Sequence, residues 1–370
     1  MLEMMLGGAP AGAAPLKWYA FGACPAILTM KGNLYVTGNA GRLADENNTS
    51  AVLTKWKLID TDVETVGFCS NGSLLWRKNN KQWWAIGYFG YMFGALNVAV
   101  KTNVSSYCTA IAGNLGIVSI NGGAGVNTFI IGSNGTLYGA GRNAWQGLGS
   151  SAGSEVHSFI LMANMGGAIP VASDSPQEHN LFLDTNRRLL ITGNDAYGVS
   201  GSVGSGPTPV ARAFATNVDK FTSSYYATHY LSGTTLFSAG AQAFGQLADG
   251  VMGGNGVANT RTSWYAHPET VLDVVGKTYG VYVKLADGWY FSGTYPRYDA
   301  DATASTATLM KLDTTGLQNP VFLRNQSAAL QVCYDRGCFA FRGDTVTAKI
   351  PGYSTMWQRN WVSLPMTGVE

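Results

Sequence analysis

The sequence predicts an all-β fold built from seven repeats. Three observations carry this. One turn–strand–glycine phrase recurs seven times, its copies lie about fifty residues apart, and glycine is plentiful where charge is scarce. A period of that length is the mark of a propeller, a solenoid or an array, because each unit must stack on a neighbour to bury its apolar face.

The clearest copy is Ser133–Asn143, SNGTLYGAGRN. Asn134-Gly135 suits a tight hairpin turn, since both residues tolerate positive φ. The other copies are KGNLYVTGN at Lys31–Asn39, NGSLLWRK at Asn71–Lys78, TNRRLLITGN at Thr185–Asn194, GTTLFSAG at Gly233–Gly240, ADGWYFSG at Ala286–Gly293 and DRGCFAFRG at Asp335–Gly343. In six of them a glycine follows the first strand residue by four: Leu34/Gly38, Leu137/Gly141, Leu189/Gly193, Leu236/Gly240, Trp289/Gly293 and Phe339/Gly343. In the copy at Asn71, Leu74 leads to Lys78 and the glycine is missing. Anchors at 38, 78, 141, 193, 240, 293 and 343 give intervals of 40, 63, 52, 47, 53 and 50 residues.

Composition agrees. The 370 residues suffice for two ordinary domains or one large all-β unit. Charged residues make up 12%, against about 25% in average soluble chains; together with 47 glycines this favours short strands and tight turns over long surface helices. A net charge of +2 gives no reason to expect a nucleic-acid surface or membrane steering, and no apolar run reaches the ~18 residues of a membrane span. Five cysteines are too few for a disulfide scaffold. Cys333 and Cys338 flank one hairpin turn and are expected to be free thiols. The sequons at Asn71 and Asn134 read as turn chemistry.

The N-terminal residues 1–15, MLEMMLGGAPAGAAP, carry one acid, no basic start and a very short apolar core, so they make a poor signal peptide. Their Gly and Pro content argues against a stable helix. They read as an apolar tether, with Met1, Leu2, Met4, Met5 and Leu6 as candidate attachment residues, or as a frayed terminus.

From Leu16 to the C-terminus a four-strand rhythm appears, with runs rich in Val, Ile, Leu, Tyr, Phe and Thr bounded by Gly, Asn and Asp. Unit one takes Trp18–Phe21, Ala26–Met30, Leu34–Thr37 and Val52–Trp56. Unit two takes Lys57–Asp60, Thr65–Cys69, Ser73–Arg77 and a late strand near Leu96–Val100. Unit three takes Gly116–Ile120, Thr128–Ile131, Thr136–Gly139 and Ser158–Met162, and unit four Val171–Ser173, His179–Asp184, Leu189–Thr192 and Val210–Ala213. Unit five takes Lys220–Thr222, His229–Leu231, Thr235–Ser238 and Ser263–Ala266. Unit six takes Val271–Val275, Val281–Leu285, Trp289–Ser292 and Thr308–Lys311. Unit seven takes Val321–Arg324, Leu330–Tyr334, Cys338–Phe341 and a strand within Met356–Ser363.

After the third strand a second phrase recurs: GRNAWQGLGS at Gly141–Ser150, GNDAYGVSGS at Gly193–Ser202, GAQAFGQLADG at Gly240–Gly250 and, degenerately, GNAGRLADE at Gly38–Glu46. This pairing resembles the repeat of the regulator-of-chromosome-condensation propeller family, best at Trp145-Gln146-Gly147-Leu148-Gly149 and Phe244-Gly245-Gln246-Leu247. The resemblance runs from about Leu16 to the C-terminus and is weak in units two and seven. It implies a seven-bladed β-propeller of four-stranded blades, here with a short extended N-terminal tether. It also implies that Trp145, Tyr197 and Phe244, at one loop position, pack between blades. Closure is expected by pairing the two chain ends, because open edges invite aggregation.

Signals of chemistry are sparse. His157, His179, His229 and His267 form no metal-spaced pair, no cysteine pair makes a zinc knuckle, and no metal or cofactor is expected. His179 and His229 fall at the start of the second strand in their units, which suggests a structural role written into the repeat. The glycine string Gly201–Gly206 joins no strand to a helix. Asp299 and Asp301 beside Tyr295 and Tyr298 offer a carboxylate pair for a glycosidase but read more simply as a solvated loop.

Aromatic residues say more. Lys81–Phe93, KQWWAIGYFGYMF, reads as an insertion after the third strand of unit two, either an exposed contact patch or a lid over a blade edge. In a four-stranded meander the a–b and c–d loops share one face of the disc, and the b–c and d–a connections share the other. The b–c turns are short, whereas the c–d connections Gly38–Ala51, Asn79–Asn97, Gly240–Thr262 and Gly293–Ala307 are long. One face is therefore elaborated and the other flat, with the tether leaving from the flat side. Candidate partner-binding residues are Trp83, Trp84 and Tyr88 on the blade-two insertion and Tyr295 and Tyr298 on the blade-six loop.

These features point to a non-enzymatic virion protein of a bacteriophage tail or baseplate. It would be made in the host cytoplasm, bound by its tether to other tail proteins, and would display loops to a host-surface glycan or a protein. The alternatives are a cellular propeller scaffold acting in guanine-nucleotide exchange or chromatin binding, or a glycan hydrolase.

Overall fold

The computed structural model describes residues 16–21, 25–39, 52–69, 73–94, 97–122, 126–149, 153–176, 179–202, 206–253, 259–297, 302–322, 330–335, 338–344, 357–364 and 369. They form seven four-stranded antiparallel sheets, each made of four consecutive strands a–d in the order of the chain. Blade one is Leu16–Phe21, Pro25–Thr29, Leu34–Asn39 and Val52–Asp60, and blade two is Val63–Phe68, Leu74–Lys78, Trp83–Tyr88 and Asn97–Asn103. Blade three is Ile117–Asn121, Asn127–Gly132, Leu137–Arg142 and Glu155–Leu161, and blade four is Pro170–Asp174, His179–Asp184, Leu189–Asn194 and Pro207–Ala215. Blade five is Lys220–Ser224, Ala227–Ser232, Thr235–Ala241 and Thr260–Ala266. Blade six is Asp273–Lys277, Gly280–Leu285, Gly288–Arg297 and Ala302–Lys311, and blade seven is Val321–Phe322, Leu330–Asp335, Cys338–Asp344 and Trp357–Leu364. The fold is a seven-bladed β-propeller.

A four-stranded sheet buries too little alone, and stacking supplies the rest. Successive side chains of a strand point to opposite faces, and here both faces meet a neighbouring blade. In strand b of blade three, Ile130 joins the core shared with blade two, while Phe129 and Ile131 join the core shared with blade four. Among the described residues such clusters lie between each pair of successive blades from one to seven. Burial on both faces explains why the strands read as near-continuous apolar runs rather than alternating ones.

The a strands lie innermost: those of blades one and two, two and three, three and four, and five and six touch. Hydrogen bonds tie them around the axis. Gly122 N–H donates to the Phe68 carbonyl at 2.8 Å, Asn121 donates to the Ser173 carbonyl, and the Ser223 hydroxyl donates to Asp174 at 2.5 Å. Gly276 N–H donates to Thr222 Oγ1 at 2.8 Å.

The recurring strand-c glycine has a backbone cause. Gly141, Gly240 and Gly293 sit at φ of +129°, +116° and +114°. A Cβ there would overlap the carbonyl oxygens of Val126, Tyr226 and Tyr279, each just ahead of strand b in its own blade. The residue after the glycine donates to that same carbonyl: Ala241 to Tyr226 and Thr294 to Tyr279, both at 2.8 Å. Gly240→Ala therefore meets backbone strain of about 1–3 kcal/mol plus overpacking of about 1–3 kcal/mol, and should lower stability in urea by about 3 kcal/mol in all. Gly233→Ala, at positive φ but in open space, should lose only the strain part. Equal losses would mean that the carbonyl does not demand the glycine.

Several expectations are corrected. Lys57–Asp60 is not strand a of blade two but the end of blade one's outer strand. NGSLLWRK supplies strand b of blade two, not strand c. Strand c is Trp83–Tyr88, so Lys81–Phe93 is no insertion. Gly87, at φ +119°, is the missing anchor four residues after Trp83, and the intervals from Gly38 through Gly87 to Gly141 become 49 and 54 residues. Gly293–Ala307 is largely a long hairpin rather than a loop, with Tyr295 paired to Ala304. Among the described residues no sheet joins the first and last blades: the repeat is in phase with the blade, so each sheet is complete without borrowed strands. Cys333 is buried and in no disulfide, and its register partner is Ala340 rather than Cys338. The tether residues Met1, Leu2, Met4, Met5 and Leu6, the loop residue Tyr298 and the acids Asp299 and Asp301 lie outside the described residues.

Candidate functional site

The c–d phrase folds the same way in successive blades. In blades three to five a turn closes with Gln146 N–H on the Asn143 carbonyl, Gly198 on Asp195 and Gly245 on Gln242, at 2.9, 3.3 and 3.2 Å. The closing residue is left-handed each time, with φ of +56°, +67° and +73°. The polar residue that starts the turn also clamps it from inside: Asn143 Oδ1 accepts from Leu148 N–H at 2.7 Å, and Asp195 Oδ1 from Ser200 N–H at 3.2 Å. Blade two keeps the hydrogen bond, Met92 N–H on the Phe89 carbonyl at 2.8 Å, with Gly90 and Phe93 rather than the closing Met92 in the left-handed region.

Each turn holds one aromatic ring, and the rings are repeat-equivalent: Tyr91, Trp145, Tyr197 and Phe244. All four are half-buried. Tyr91 faces the Arg142 guanidinium of the next blade, 5.6 Å away. Tyr197 stacks on Tyr226, with centroids 4.0 Å apart, and Phe244 meets Tyr279 at 4.5 Å and Tyr225 at 5.9 Å. Tyr226 and Tyr279 belong to the a–b hairpins of the following blades and Tyr225 to that of Phe244's own blade, so these two c–d loops lean on the a–b hairpin of the following blade, and Phe244 on its own as well. The interblade packing implied for Tyr197 and Phe244 is seen, and both loop types share a face as expected. An arc of partly exposed rings thus runs over blades two to six.

The other candidates fall elsewhere. Trp83 is 3% exposed, in the core between blades two and three, and is not a surface anchor. Trp84 is half-buried against the core between blades one and two, with the Lys101 ammonium 5.2 Å from its ring. Tyr88 ends strand c and Tyr295 lies within the blade-six hairpin. Trp83 and Trp84 therefore enter different blade interfaces and do not form one exposed patch. Tyr91 belongs to the aromatic run Lys81–Phe93, and its equivalence with Trp145, Tyr197 and Phe244 becomes legible in GYFGYMFG at Gly87–Gly94 once Gly87 is taken as the anchor.

Buried polar groups sit under this face. The Lys277 amine, beneath the blade-six a–b turn, lies over Phe291 at 5.4 Å, and burial pushes it down to about 7. His179 and His229 are not equivalent: His179 pairs with the anchor Gly193, whereas Ala227 pairs with Gly240. His229 instead belongs to a chain across blade five. Its Nε2 meets the Ser224 hydroxyl at 3.1 Å and its Nδ1 meets Ser238 at 2.9 Å, and Ser238 meets His267 Nε2 at 3.0 Å. Burial and then the neighbouring His267 push His229 down to about 3. Burial pushes His267 down to about 4, with Asp249 and a hydrogen bond to the Leu247 backbone opposing and Arg261 assisting.

No family model matches the chain, and no curated protein sequence matches it. Solved structures do. Human WBSCR16 superposes with a TM-score of 0.72 at 15% identity, over 91% of this chain and 96% of that one. Prp20p from Saccharomyces cerevisiae, studied for its binding to Gsp1p and histones, superposes at 0.70 and 13% identity over 92% and 87%. Yeast RCC1 (Prp20), from a structure with Kap60, gives 0.68 at 14% over 99% and 91%. At such identities the likeness shows the fold: a propeller like that of RCC1.

Proposed function

We propose that this protein is a non-enzymatic recognition scaffold that engages a partner with the aromatic face of its propeller. The arc Tyr91–Trp145–Tyr197–Phe244 carries the reading. Rigid, half-exposed rings on a fixed scaffold give large contact area at low entropic cost, and aromatic anchors dominate binding energy at interfaces. The face needs no titratable group to act.

Two finer readings divide on the partner. The likeness to Prp20p, whose partners are Gsp1p and histones, supports a cellular scaffold in guanine-nucleotide exchange or chromatin binding. A net charge of +2 supplies little field for basic histones, which favours the exchange variant. The apolar residues 1–15 and the low charge instead support attachment to a bacteriophage tail with display toward a host-surface glycan.

Co-elution with purified Gsp1p or histone octamers would favour the first reading, and sedimentation with tail particles the second. In either case Tyr91→Ala with Trp145→Ala should weaken binding at least ten-fold while the melting temperature shows the fold intact. Full binding by that double variant would overturn the assignment of the face.

A further inference from the structure

The recognition face makes its contacts without a titratable group, yet in blade five two histidines hold it from beneath. Ser224, His229, Ser238 and His267 are all 4% exposed or less. They form one chain from the end of strand a, through strands b and c, to the residue after strand d. Its polarity is fixed from one end. The bond between His267 and the Leu247 backbone favours the charged ring, so the imidazole donates there. Its Nε2 is then bare and accepts from the Ser238 hydroxyl at 3.0 Å. Ser238 Oγ in turn accepts from His229 Nδ1–H at 2.9 Å, which leaves His229 Nε2 to accept from the Ser224 hydroxyl at 3.1 Å.

Both ends of this chain carry rings of the face. Ser224 leads into the a–b hairpin Tyr225-Tyr226, and Leu247 lies in the c–d turn of Phe244. The hairpin is strained: Tyr226 sits at φ +47°, a left-handed conformation that a bulky side chain seldom adopts and that its surroundings must enforce. Tyr225 N–H donates to the Thr278 carbonyl at 2.6 Å, and Ala241 N–H to the Tyr226 carbonyl at 2.8 Å. Gln246 Nε2 donates to the Tyr225 carbonyl at 3.1 Å. Blade three makes the Ala241 contact through Arg142 N–H, on the Val126 carbonyl at 3.2 Å. There Phe129 stands opposite Gly139, where blade five pairs His229 with Ser238. The same joint is therefore built once over an apolar pair and once over titratable groups.

We propose that the Ser224–His229–Ser238–His267 chain is an acid-released brace: as pH falls, the Tyr225-Tyr226 hairpin and the Phe244 turn open ahead of the rest of the propeller. It rests on the recognition-face reading for the consequence, a loosened face; the opening itself belongs to blade five. A proton on either ring puts an N–H where a bare nitrogen accepted, and two charged rings would meet across the single Ser238 oxygen. Burial opposes both charges, whereas opening hydrates the rings and lets them take protons at the ordinary histidine value. The surroundings offer little relief. Asp249, the carboxylate that favours the His267 charge, is shared with Arg261 at 3.2 Å and Gln242 at 2.7 Å, and Tyr265 adds only a ring edge. Beside Ser224, Asp174 accepts from Ser223. The hairpin also faces His179, 6.2 Å from Tyr226, and Tyr197 in blade four, and Lys277 and Tyr279 flank Thr278 in blade six.

Amide hydrogen exchange of the full chain at pH 7, 6 and 5, corrected for the intrinsic exchange rate, tests this. An opened histidine titrates near 6.5, against about 3 and about 4 in the closed chain. Protection at Tyr225 and Ala241 should therefore fall about 20-fold between pH 7 and 5 for each histidine that opening exposes. Arg142, the repeat-equivalent amide of blade three, should keep its protection. His267→Gln should leave the fall expected of one histidine, and His229→Gln with His267→Gln should abolish it. The comparison of Ala241 with Arg142 in the wild-type chain decides the matter even where those variants fold poorly. Equal changes at the two amides, or no change at either, overturn the brace. So does an acid response that survives the double variant, which would pass the role to His179. If the brace is seen while Tyr91→Ala with Trp145→Ala leaves partner binding intact, the face reading falls alone. If that variant loses its partner while Ala241 follows Arg142, the brace falls and the face stands.

Discussion

Trp83→Ala is expected to destabilise the protein by about 3–5 kcal/mol, the range for a large aromatic truncated in a core that cannot collapse. Trp83 opens strand c of blade two and packs among Leu75, Phe93, Cys108 and Leu115 in the core shared with blade three. The Arg77 guanidinium lies 5.5 Å from its ring; Arg77 is itself paired with Glu64 at 2.7 Å and donates to the Leu115 carbonyl at 2.6 Å. Removing the indole therefore opens a cavity and takes away the surface against which the buried Arg77 side of a half-buried ion pair is held. Trp84, one residue on, faces the opposite blade. Its indole N–H is buried without a partner, so Trp84→Phe removes an unmet donor and should be close to neutral. Urea denaturation of the two variants checks both. A loss below about 1 kcal/mol for Trp83→Ala, the level of an exposed site, would place that ring on the surface after all.

The same residues show how far the sequence could be read. The period was legible because its punctuation has a backbone cause: the strand-c glycine lies under a carbonyl that no Cβ can approach, so the chain repeats it. Blade two was misread because its turn signals are displaced. Asn71-Gly72, a strong hairpin signal, falls between strands a and b there. The true b–c turn closes with Lys81 N–H on the Lys78 carbonyl at 2.8 Å, with Lys81 in the left-handed region at φ +69°, a conformation that lysine does not advertise. The Trp-Trp pair then read as an exposed cluster, although a strand sandwiched between two blades carries large apolar groups on both faces. The spacing of Gly87 from Trp83 was the available corrective.

The binding face was half legible. Trp145, Tyr197 and Phe244 stand at one position of a recurring phrase, and that position alone places them on the elaborated side. For Tyr197 and Phe244 the cover comes from the a–b hairpin of the following blade, a tertiary partner some thirty residues on, and for Tyr91 from Arg142 at the end of the next blade's strand c. Local pattern fixes where a side chain sits in the repeat; its state is set across the blade interface.

Blade five should make the whole propeller acid-sensitive above the range where carboxylates titrate. His229 and His267 are held well below the ordinary histidine value, at about 3 and about 4, chiefly because burial disfavours the imidazolium. The groups around them are the Ser224 and Ser238 hydroxyls, the Leu247 backbone, Asp249, Arg261 and the Tyr265 ring, 4.7 Å from His267. A depressed folded value means that the unfolded chain takes up protons first. Stability from this pair is complete above the unfolded value of about 6.5 and drains away as pH falls through the two folded values. Each imidazole contributes a slope of up to about 1.4 kcal/mol per pH unit below its unfolded value, so the pair should produce a fall of about 3–4 kcal/mol between about pH 7 and 5. Across that window unfolded carboxylates, near pKa 4, stay largely ionised. His229→Gln and His267→Gln will each lower the plateau by disturbing the relay, so the quantity to compare is the slope. Urea unfolding at several pH values should give a slope reduced by roughly half in either variant and nearly abolished in the double one. An unchanged slope in the double variant would mean that acid attacks the fold elsewhere and that the two histidines titrate as they do in the open chain.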